Sequence, residues 1–266
     1  MKIAFIGGGN MGEAMLSAIL EKGLSEPRSI TVSDANEGRR QYLAAKYGVA
    51  VTADNLLATR KGEVIILAIK PQNLAEVMAG LSRRLDAGQL VLSIIAGARI
   101  DTLSRGLKHY SVVRAMPNMP AQIGLGMTVW TATEKVTPEQ KAWASSILGA
   151  IGKEISVDDE KYLDMATAVS GSGPAYFFLY VELLVEAAVA LGLLRAMAEE
   201  MVLQTMLGSG QLIQKSGKSP AELRRMVTSP GGTTAEALAV FEKEGLASLV
   251  KQAVQAAYDK AKKLGN

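Results

Sequence analysis

The sequence predicts an α/β fold in two parts: an N-terminal domain with a doubly wound, mainly parallel sheet, and an all-α C-terminal domain. Over roughly the first 155 residues, short apolar runs alternate with helical patterns, which is the order typical of βαβ units. Beyond Asp158 the strand pattern ends and only helical periods follow. The predicted domains are therefore residues 1–157 and residues 158–266.

Seven strands are predicted in the N-terminal domain, each a short run rich in apolar residues. The run at residues 63–69 is apolar after its first residue, as expected of a parallel strand that is covered on both faces. Helices are predicted at residues 11–22, ending at Gly23, and at residues 37–47. The predicted strands lie at residues 2–6, 30–34, 49–52, 63–69, 90–95, 111–116 and 127–130.

The C-terminal domain is predicted to be helical and to contain two glycine-rich loops. The first loop, residues 170–174, reads Ser-Gly-Ser-Gly-Pro, which suits the abrupt start of a helix. The second loop, residues 228–236, lies between two helices. Glu182 and Glu186 interrupt the longest apolar segment, so no membrane span is predicted. The predicted helices lie at residues 174–192, 195–215, 220–227, 234–243 and 246–263.

Composition excludes several classes of function. The chain has no cysteine and a single histidine, His109, which rules out a disulfide framework, a thiol nucleophile and a His/Cys metal site. The net charge is +3, with basic and acidic residues interspersed, so no nucleic-acid surface is predicted. The apolar run at residues 3–6 is too short for a signal peptide, and the predicted location is the cytoplasm.

The first strand leads directly into a glycine motif, Gly7-x-Gly9-x-x-Gly12, that opens a helix. Asp34 lies 22 residues beyond the last glycine, at the end of the second strand. In this context the motif is typical of a Rossmann dinucleotide site, where the glycines permit a tight turn and a close approach of the pyrophosphate to the helix N-terminus. The alternative is that the glycines only form a sharp turn between strand and helix.

Two later strand ends are predicted to line the rest of the dinucleotide groove. They are residues 68–71, Ala-Ile-Lys-Pro, and the pair Ala96-Gly97. Lys70 fits either a role in this groove or an ordinary charge at the edge of a helix. Ligands in such sheets bind at the carboxyl edge of the strands, and small residues there favour a groove formed by backbone.

The sequence leaves the identity of the dinucleotide open. Asp34 favours a free ribose hydroxyl, as in NAD. Ser33, Arg39 and Arg40 would instead suit the 2′-phosphate of NADP, although both arginines also fit ordinary solvated positions on a charged helix.

The loop at residues 228–236 is predicted to bind a small carboxylate. Its glycines expose consecutive backbone N–H groups at the start of a helix, whose dipole favours an anion. The hydroxyls of Ser229 and Thr234 are close in sequence, and Thr233 with Glu236 has the spacing of a capping box. The alternative is an ordinary capped turn.

The sequence contains no evident general acid for a reductase. His109, at the edge of a strand, fits a packing or surface position better than that of a base. A substrate that needs no fixed acid is an imine that already carries its proton. The cofactor would then supply the hydride, and the protein would supply orientation.

Five sequence segments follow one another along the chain: residues 5–12 (FIGGGNMG), 68–71 (AIKP), 113–120 (VRAMPNMP), 169–176 (VSGSGPAY) and 227–234 (VTSPGGTT). Together they resemble the motifs of the pyrroline-5-carboxylate reductase family. The last two are the most specific, because other Rossmann dehydrogenases do not carry them together. Asn118-Met119-Pro120 departs mildly from the usual Asn-Thr-Pro.

The resemblance implies that NADPH, with NADH as an alternative donor, reduces L-1-pyrroline-5-carboxylate to L-proline in the last step of proline biosynthesis. It also implies a helical domain that interlocks with its mate in a homodimer, and dimers that join into a decamer. The residues that would contact the cofactor are Gly7, Gly8, Gly9, Asn10, Met11, Gly12, Ser33, Asp34, Asn55, Ala68, Ile69, Lys70, Pro71, Ala96 and Gly97.

The same resemblance places the substrate at the second glycine-rich loop. Ser229, Gly232, Thr233 and Thr234 would hold the carboxylate and the ring. Thr234 is the predicted catalytic residue, because its hydroxyl would hydrogen-bond the ring nitrogen as the hydride arrives. Glu160 aligns with an acid near this pocket in some members of the family, which is a weaker match.

Two other functions fit the same residues. A two-domain dehydrogenase of the 3-hydroxyacid type shares both halves but uses a helix-borne lysine. Lys161 is the only candidate for that lysine, and no matching asparagine follows it one turn later. A non-enzymatic dinucleotide sensor is the second alternative, in which the loop at residues 228–236 would be structural.

Overall fold

One eight-stranded sheet forms the N-terminal part of the computed structural model, which describes residues 1–264. The strands are β1 Ile3–Ile6, β2 Ile30–Ser33, β3 Ala50–Thr52, β4 Val64–Leu67, β5 Leu90–Ser93, β6 Val112–Met116, β7 Gly126–Ala132 and β8 Gly152–Ser156. Their order in space is β3-β2-β1-β4-β5-β6-β7-β8. All neighbours are parallel except β6 and β7, so the predicted doubly wound, mainly parallel sheet is confirmed.

The seven predicted strands are all present, and β8 is an additional strand that the sequence does not predict. Its five residues, Gly-Lys-Glu-Ile-Ser, carry only one large apolar side chain. That side chain, Ile155, is 52% exposed, and β8 is an edge strand that pairs with β7 alone. An edge strand with one face to solvent lacks the apolar run that marks the central strands.

Six helices connect the strands, and several begin at clear capping signals. The Asn36 side chain accepts a hydrogen bond from the Arg39 amide, and Asp54 accepts from two amides of the following turn. Thr137 and Gln140 form a reciprocal capping box with Pro138 at the first helical position. The helices are α1 Asn10–Glu21, α2 Glu37–Tyr47, α3 Asn55–Thr59, α4 Leu74–Leu81, α5 Ile100–Leu107 and α6 Pro138–Ala150.

Two separate hydrophobic cores lie on opposite faces of the sheet. Ile3 and Phe5 of β1 belong to the core that α1 and α6 cover, whereas Ala4 and Ile6 belong to the core that α4 and α5 cover. Successive side chains of a strand point to opposite faces, so a sheet covered on both sides needs strands that are apolar at every position. This need explains the continuous apolar run of Val64–Leu67.

The C-terminal part is helical, as predicted. Its helices are α7 Lys161–Ala166, α8 Gly173–Ala190, α9 Arg195–Ser216, α10 Pro220–Met226, α11 Thr233–Lys243 and α12 Leu246–Leu264. The chain divides into two compact units, Gly173–Gln255 and the remainder, Met1–Ser172 with the residues from Ala256 onward. The domain boundary between residues 157 and 158 stays a prediction.

The prediction of a loop at residues 170–174 is wrong. Thr167–Gly171 is a π-helical turn, and α8 begins two residues later. The Thr167 and Ser170 hydroxyls donate to the carbonyls of Leu163 and Ala166, four residues earlier. Both hydroxyls thus form hydrogen bonds with backbone carbonyls of the preceding helical turn. Gly171 lies within the wider π turn and does not end the helix there.

Large apolar side chains are exposed along the second unit. One helical segment, residues 161–190, is long and apolar enough to cross a membrane by length and composition alone. The same test is passed by helices that pack against protein, so the predicted lack of a membrane span stays a prediction. The exposed side chains on α8 and α9 include Phe177, Phe178, Leu179, Leu183, Leu184, Met197, Met201, Leu203 and Leu207.

Candidate functional site

The turn between β1 and α1 is closely packed and requires glycine at two positions. Gly7 has a φ of +98°, and a Cβ on it would lie 2.6 Å from the carbonyl oxygen of Ala68 at the end of β4. A Cβ on Gly12 would lie 2.7 Å from the carbonyl oxygen of Gly7. The motif therefore permits a tight turn and close packing of helix on strand, as its spacing predicts.

Gly9 is different, because its Cβ position faces open space. Apart from Gly9 itself, its two chain neighbours and the adjacent helix backbone, no atom of the described residues lies within 4 Å of that position. Gly9 is the N-cap of α1, and no side chain caps the helix there. The first N–H groups of a helix have no partner within the helix. The amides of Asn10 and Met11 therefore open onto a space that suits an anion.

Asp34 joins the end of β2 to the glycine turn. One of its carboxylate oxygens accepts a hydrogen bond from the Gly8 amide at 2.8 Å, and the other accepts from the Asn36 amide at 2.9 Å. Ser33 is buried, and its hydroxyl donates to the side-chain oxygen of Asn55 on α3. Asp34, Ser33 and Asn55, which the sequence predicts as cofactor contacts, thus lie together at one end of the sheet.

The two arginines considered for a 2′-phosphate have different surroundings. Arg39 donates to the Gly8 carbonyl and forms an ion pair with Glu13 of α1. Arg40 donates to the backbone carbonyls of Asp34 and Ala35, at 2.8 Å and 3.0 Å. Arg40 therefore lies directly at the end of β2, whereas Arg39 holds α2 against the glycine turn.

Glu13 is the centre of a polar cluster that the sequence does not predict. Burial alone would raise its pKa, but hydrogen bonds from Lys46, Arg39, Tyr47 and Tyr42 outweigh burial and lower the pKa of Glu13 to about 2. The Glu13 side chain is 17% exposed. All four donors come from α2, so the cluster fixes α2 to the first turn of α1, beside the glycine motif.

We expect Glu13→Gln to destabilise the fold near neutral pH and to have little effect near pH 2. The folded-state pKa lies below the ordinary value of 4.5, so ionised Glu13 contributes stability above pH 4.5 that is lost as the pH falls towards 2. The expected loss is about 1–2 kcal/mol after allowance for solvent screening. Urea unfolding across this pH range measures it, with Glu76→Gln at an exposed position of α4 as control. Equal pH dependence in both variants would contradict the role of Glu13.

The ends of β4 and β5 lie at the same sheet edge as the glycine turn, because β1, β4 and β5 are parallel neighbours. The Ala68 amide donates to the Ile6 carbonyl at 2.8 Å, which holds the turn after β4 beside the turn after β1. Lys70 and Pro71 are exposed at the start of a short 3-10 turn. Gly97, after β5, has a φ of +76°. These predicted cofactor positions therefore form one backbone-lined edge.

The loop before α11 contains a tight turn at Ser229–Gly232. The Gly232 amide donates to the Ser229 carbonyl at 3.0 Å, and Gly231 has a φ of +69°. Proline at the second position and glycine at the third are typical of a type II turn. A Cβ on Gly232 would lie 2.5 Å from the Ser229 hydroxyl, so this hydroxyl packs directly against the glycine backbone.

The predicted capping box in this loop is wrong. α11 begins at Thr233, its N-cap is Gly232, and no side chain caps it. The Glu236 amide instead donates to the Gly232 carbonyl as an ordinary helical hydrogen bond. The amides of Thr233 and Thr234 therefore occupy the first turn of an uncapped helix, which is the arrangement that favours an anion.

The other titratable candidates do not offer a general acid. His109 is buried, and its Nε2 lies 2.7 Å from the Gln89 carbonyl oxygen; burial lowers its pKa. Lys161 forms an ion pair with Asp159 at 2.8 Å, and the hydrogen bond to this partner raises the pKa of Lys161. A lysine with a raised pKa gives up its proton less readily, which makes it a poor general acid. Glu160 accepts hydrogen bonds from Arg114 and from the Ile100 amide.

Comparisons with known proteins cover the whole chain. A family model described as "Pyrroline-5-carboxylate reductase dimerisation" matches residues 160–264, and one described as "NADP oxidoreductase coenzyme F420-dependent" matches residues 2–97. The chain is 42% identical to a pyrroline-5-carboxylate reductase of Synechocystis, with 100% of this chain and 98% of the relative covered. It is 39% identical to that of Pseudomonas aeruginosa, with 99% and 96% covered.

Solved structures agree with these relatives. A pyrroline-5-carboxylate reductase from Coxiella burnetii superimposes with a TM-score of 0.93 at 37% identity, covering 100% of this chain and 98% of the other. A Plasmodium falciparum pyrroline carboxylate reductase with NADP bound has a TM-score of 0.90 at 30% identity, with 100% and 98% covered. With this similarity along its full length, the chain belongs to the pyrroline-5-carboxylate reductase family.

Proposed function

We propose that this protein reduces L-1-pyrroline-5-carboxylate to L-proline, the last step of proline biosynthesis, with NADPH as donor and NADH as an alternative. The observation that carries the proposal is the pair of uncapped, glycine-built helix N-termini, at Gly9 and at Gly232. Each suits one of the two anionic groups that the reaction requires, the pyrophosphate of the cofactor and the carboxylate of the substrate. Membership of a reductase family supports the same conclusion.

The glycine turn fits a dinucleotide, because the open space at Gly9 leaves room for a pyrophosphate against the helix. In this proposal the amides of Asn10 and Met11 hold the pyrophosphate. Asp34 and Arg40 lie where the adenosine ribose binds, and the turns after β4 and β5 hold the other half of the cofactor. When bound, the reduced nicotinamide supplies a hydride to the C=N carbon.

The substrate is assigned to the loop before α11. The amides of Thr233 and Thr234 and the Ser229 hydroxyl would hold the carboxylate, and Gly232 allows the backbone to approach it. The Thr234 hydroxyl would hydrogen-bond the ring nitrogen. A protonated imine brings its own proton, so the nitrogen lone pair of the product forms without a separate acid. This agrees with the positions of His109 and Lys161, which supply none.

We propose a homodimer as the working unit, with dimers joining into a decamer in the cytoplasm. The dimerisation family model matches the same helices that expose large apolar side chains on α8 and α9. Exposed apolar surface of this extent is typical of a protein interface. No nucleic-acid partner is expected, because the net charge is only +3 and the basic residues are dispersed.

The two alternative functions are less well supported. A 3-hydroxyacid dehydrogenase would need Lys161 as its acid or base, but Lys161 is exposed and paired with Asp159. A dinucleotide sensor would not need the uncapped N-terminus of α11. Neither alternative accounts for the similarity to reductases along the whole chain.

The proposed function is tested by the absorbance of NADPH and of NADH, measured separately, as the purified protein is mixed with L-1-pyrroline-5-carboxylate. We expect the cofactor to be oxidised only when the protein and the imine are both present, and one proline to form for each NADPH or NADH consumed. A 3-hydroxyacid with NAD or NADP serves as control for the alternative dehydrogenase. No oxidation of either cofactor with the imine would overturn the proposal.

A further inference from the structure

A buried arginine on β6 is the centre of an ion-pair cluster that no part of the proposed reaction uses. Arg114 is 2% exposed and is among the largest fully buried side chains of the described protein. Its guanidinium donates to Glu160 at 2.7 Å and to Asp164 at 3.2 Å. A buried ion pair is weak evidence for a gain in stability, because desolvation offsets the attraction. The position of the cluster therefore needs another explanation.

Glu160 does more than neutralise Arg114. The same carboxylate oxygen accepts a hydrogen bond from the Ile100 amide at 2.8 Å. Ile100 is the first residue of α5, and its N-cap residue, Arg99, provides no side-chain cap. Glu160 thus supplies, from sixty residues away, the acceptor and the negative charge that the N-terminus of α5 lacks. Arg99 also lies 3.4 Å from Asp164.

The loop between β5 and α5, residues 94–99, is held at both ends, and the cluster lies at both. At the start of the loop, the backbone pairing of β5 with β6 sets Ser93 beside Arg114. At the end of the loop, Arg99 and Ile100 contact the two acids. The middle of the loop packs closely against the end of α12, because a Cβ on Gly97 would lie 2.8 Å from the carbonyl oxygen of Leu264.

We propose that Glu160, Asp164 and Arg114 are positioning residues that set the loop at residues 94–99 against the nicotinamide end of the cofactor. This inference rests on the proposed function, which assigns Ala96 and Gly97 to that end. Glu160 acts through the Ile100 amide and not by contact with the substrate. A loop fixed at both ends keeps the nicotinamide at the distance and angle that hydride transfer needs.

The test compares binding of two ligands to Glu160→Gln. NADPH and 2′-phospho-ADP-ribose, which lacks the nicotinamide, are titrated by calorimetry. We expect NADPH to bind about tenfold more weakly and the nicotinamide-free ligand to bind within twofold of the wild-type affinity. In turnover, we expect kcat to fall about tenfold, with a larger isotope effect from NADPH deuterated at the transferred hydrogen and an unchanged KM for pyrroline-5-carboxylate.

Asp159→Asn is the matched control, since Asp159 is the preceding residue, is exposed and pairs with Lys161 in the adjacent turn. It should leave all of these values unchanged. If Glu160→Gln does not fold, Glu160→Asp serves instead, because it keeps the charge beside Arg114 but shortens the reach to the Ile100 amide. Folding of each variant is checked by its thermal midpoint.

Three results would overturn the inference: equal weakening of both ligands, unchanged affinity for both ligands in a folded variant, or a raised KM for pyrroline-5-carboxylate with unchanged cofactor binding. The last result would assign Glu160 to the substrate. The binding comparison needs no turnover. If the wild-type protein binds NADPH but does not reduce the imine, the proposed function is contradicted. The role of the loop at residues 94–99 is still tested in that case, by the comparison of the two ligand affinities.

Discussion

Gly7→Ala is expected to destabilise the fold itself, by about 2–5 kcal/mol, because position 7 combines backbone strain with a steric clash. The φ of +98° is one that residues with a side chain rarely adopt. The new methyl group would meet the Ala68 carbonyl at 2.6 Å, and neither backbone is free to move, since the Ala68 amide is bonded to the Ile6 carbonyl. Urea unfolding of the variant without cofactor measures the loss.

Gly9→Ala is the matched comparison and should affect binding alone. Gly9 has a φ of −65°, which alanine adopts without strain, and its Cβ position is open. We expect a change in stability within about 0.5 kcal/mol and at least a tenfold loss in NADPH affinity, because the methyl group would stand where the pyrophosphate approaches the helix. Unchanged NADPH affinity in Gly9→Ala would contradict the assignment of the pyrophosphate to this turn.

The features that the sequence predicts well are those with a local physical cause. Gly7, Gly9 and Gly12 act within one turn, so their spacing alone specifies the turn between β1 and α1. The apolar run at Val64–Leu67 predicts a strand that is buried on both faces, and this prediction does not depend on which strands lie beside it. The same is true of α2, where Asn36 at the N-cap and Gly48 after the last turn mark both ends.

The features that the sequence does not predict depend on partners distant along the chain. Glu13 looks like an ordinary first-turn acid until α2 brings four donors to it. Arg114 looks like an interruption of an apolar strand, and only its two acids, some fifty residues later, explain a buried charge. The sequence feature that could have predicted this cluster is a charged residue inside an otherwise apolar central strand, because a buried charge requires a partner.

Local rules also failed where two of them competed. Thr233 with Glu236 satisfies the spacing of a capping box, but Gly232 takes the N-cap because the turn from Ser229 ends there. The glycines at residues 171 and 173 suggest a helix start, but hydroxyl bonds to helix carbonyls keep the segment helical as a π turn. In both places a short-range hydrogen bond decides which local structure forms. The spacing of residues alone does not show which of the two possible structures is the more stable.

Thr234→Val is expected to lower kcat by on the order of 100-fold, the usual effect of removing one hydrogen-bonding group directed at the reacting atoms. Valine has nearly the shape of threonine without its hydroxyl, and Thr234 is not the N-cap of α11, so the helix and its anion-binding amides should be retained. NADPH affinity should stay within twofold, because the dinucleotide is assigned to a different glycine turn. Steady-state kinetics and calorimetric titration of NADPH measure the two effects.

Thr234→Ser is the control that separates the hydroxyl from the shape of the side chain. Serine keeps the oxygen and should restore kcat to within about tenfold of the wild-type value. If Thr234→Val and Thr234→Ser lower kcat equally, packing explains the loss and the hydrogen bond to the ring nitrogen is not made. If Thr234→Val retains wild-type turnover, the carboxylate and the hydride acceptor must be oriented by the backbone amides and Ser229 alone. The catalytic assignment would then be wrong, while the site at the N-terminus of α11 would remain.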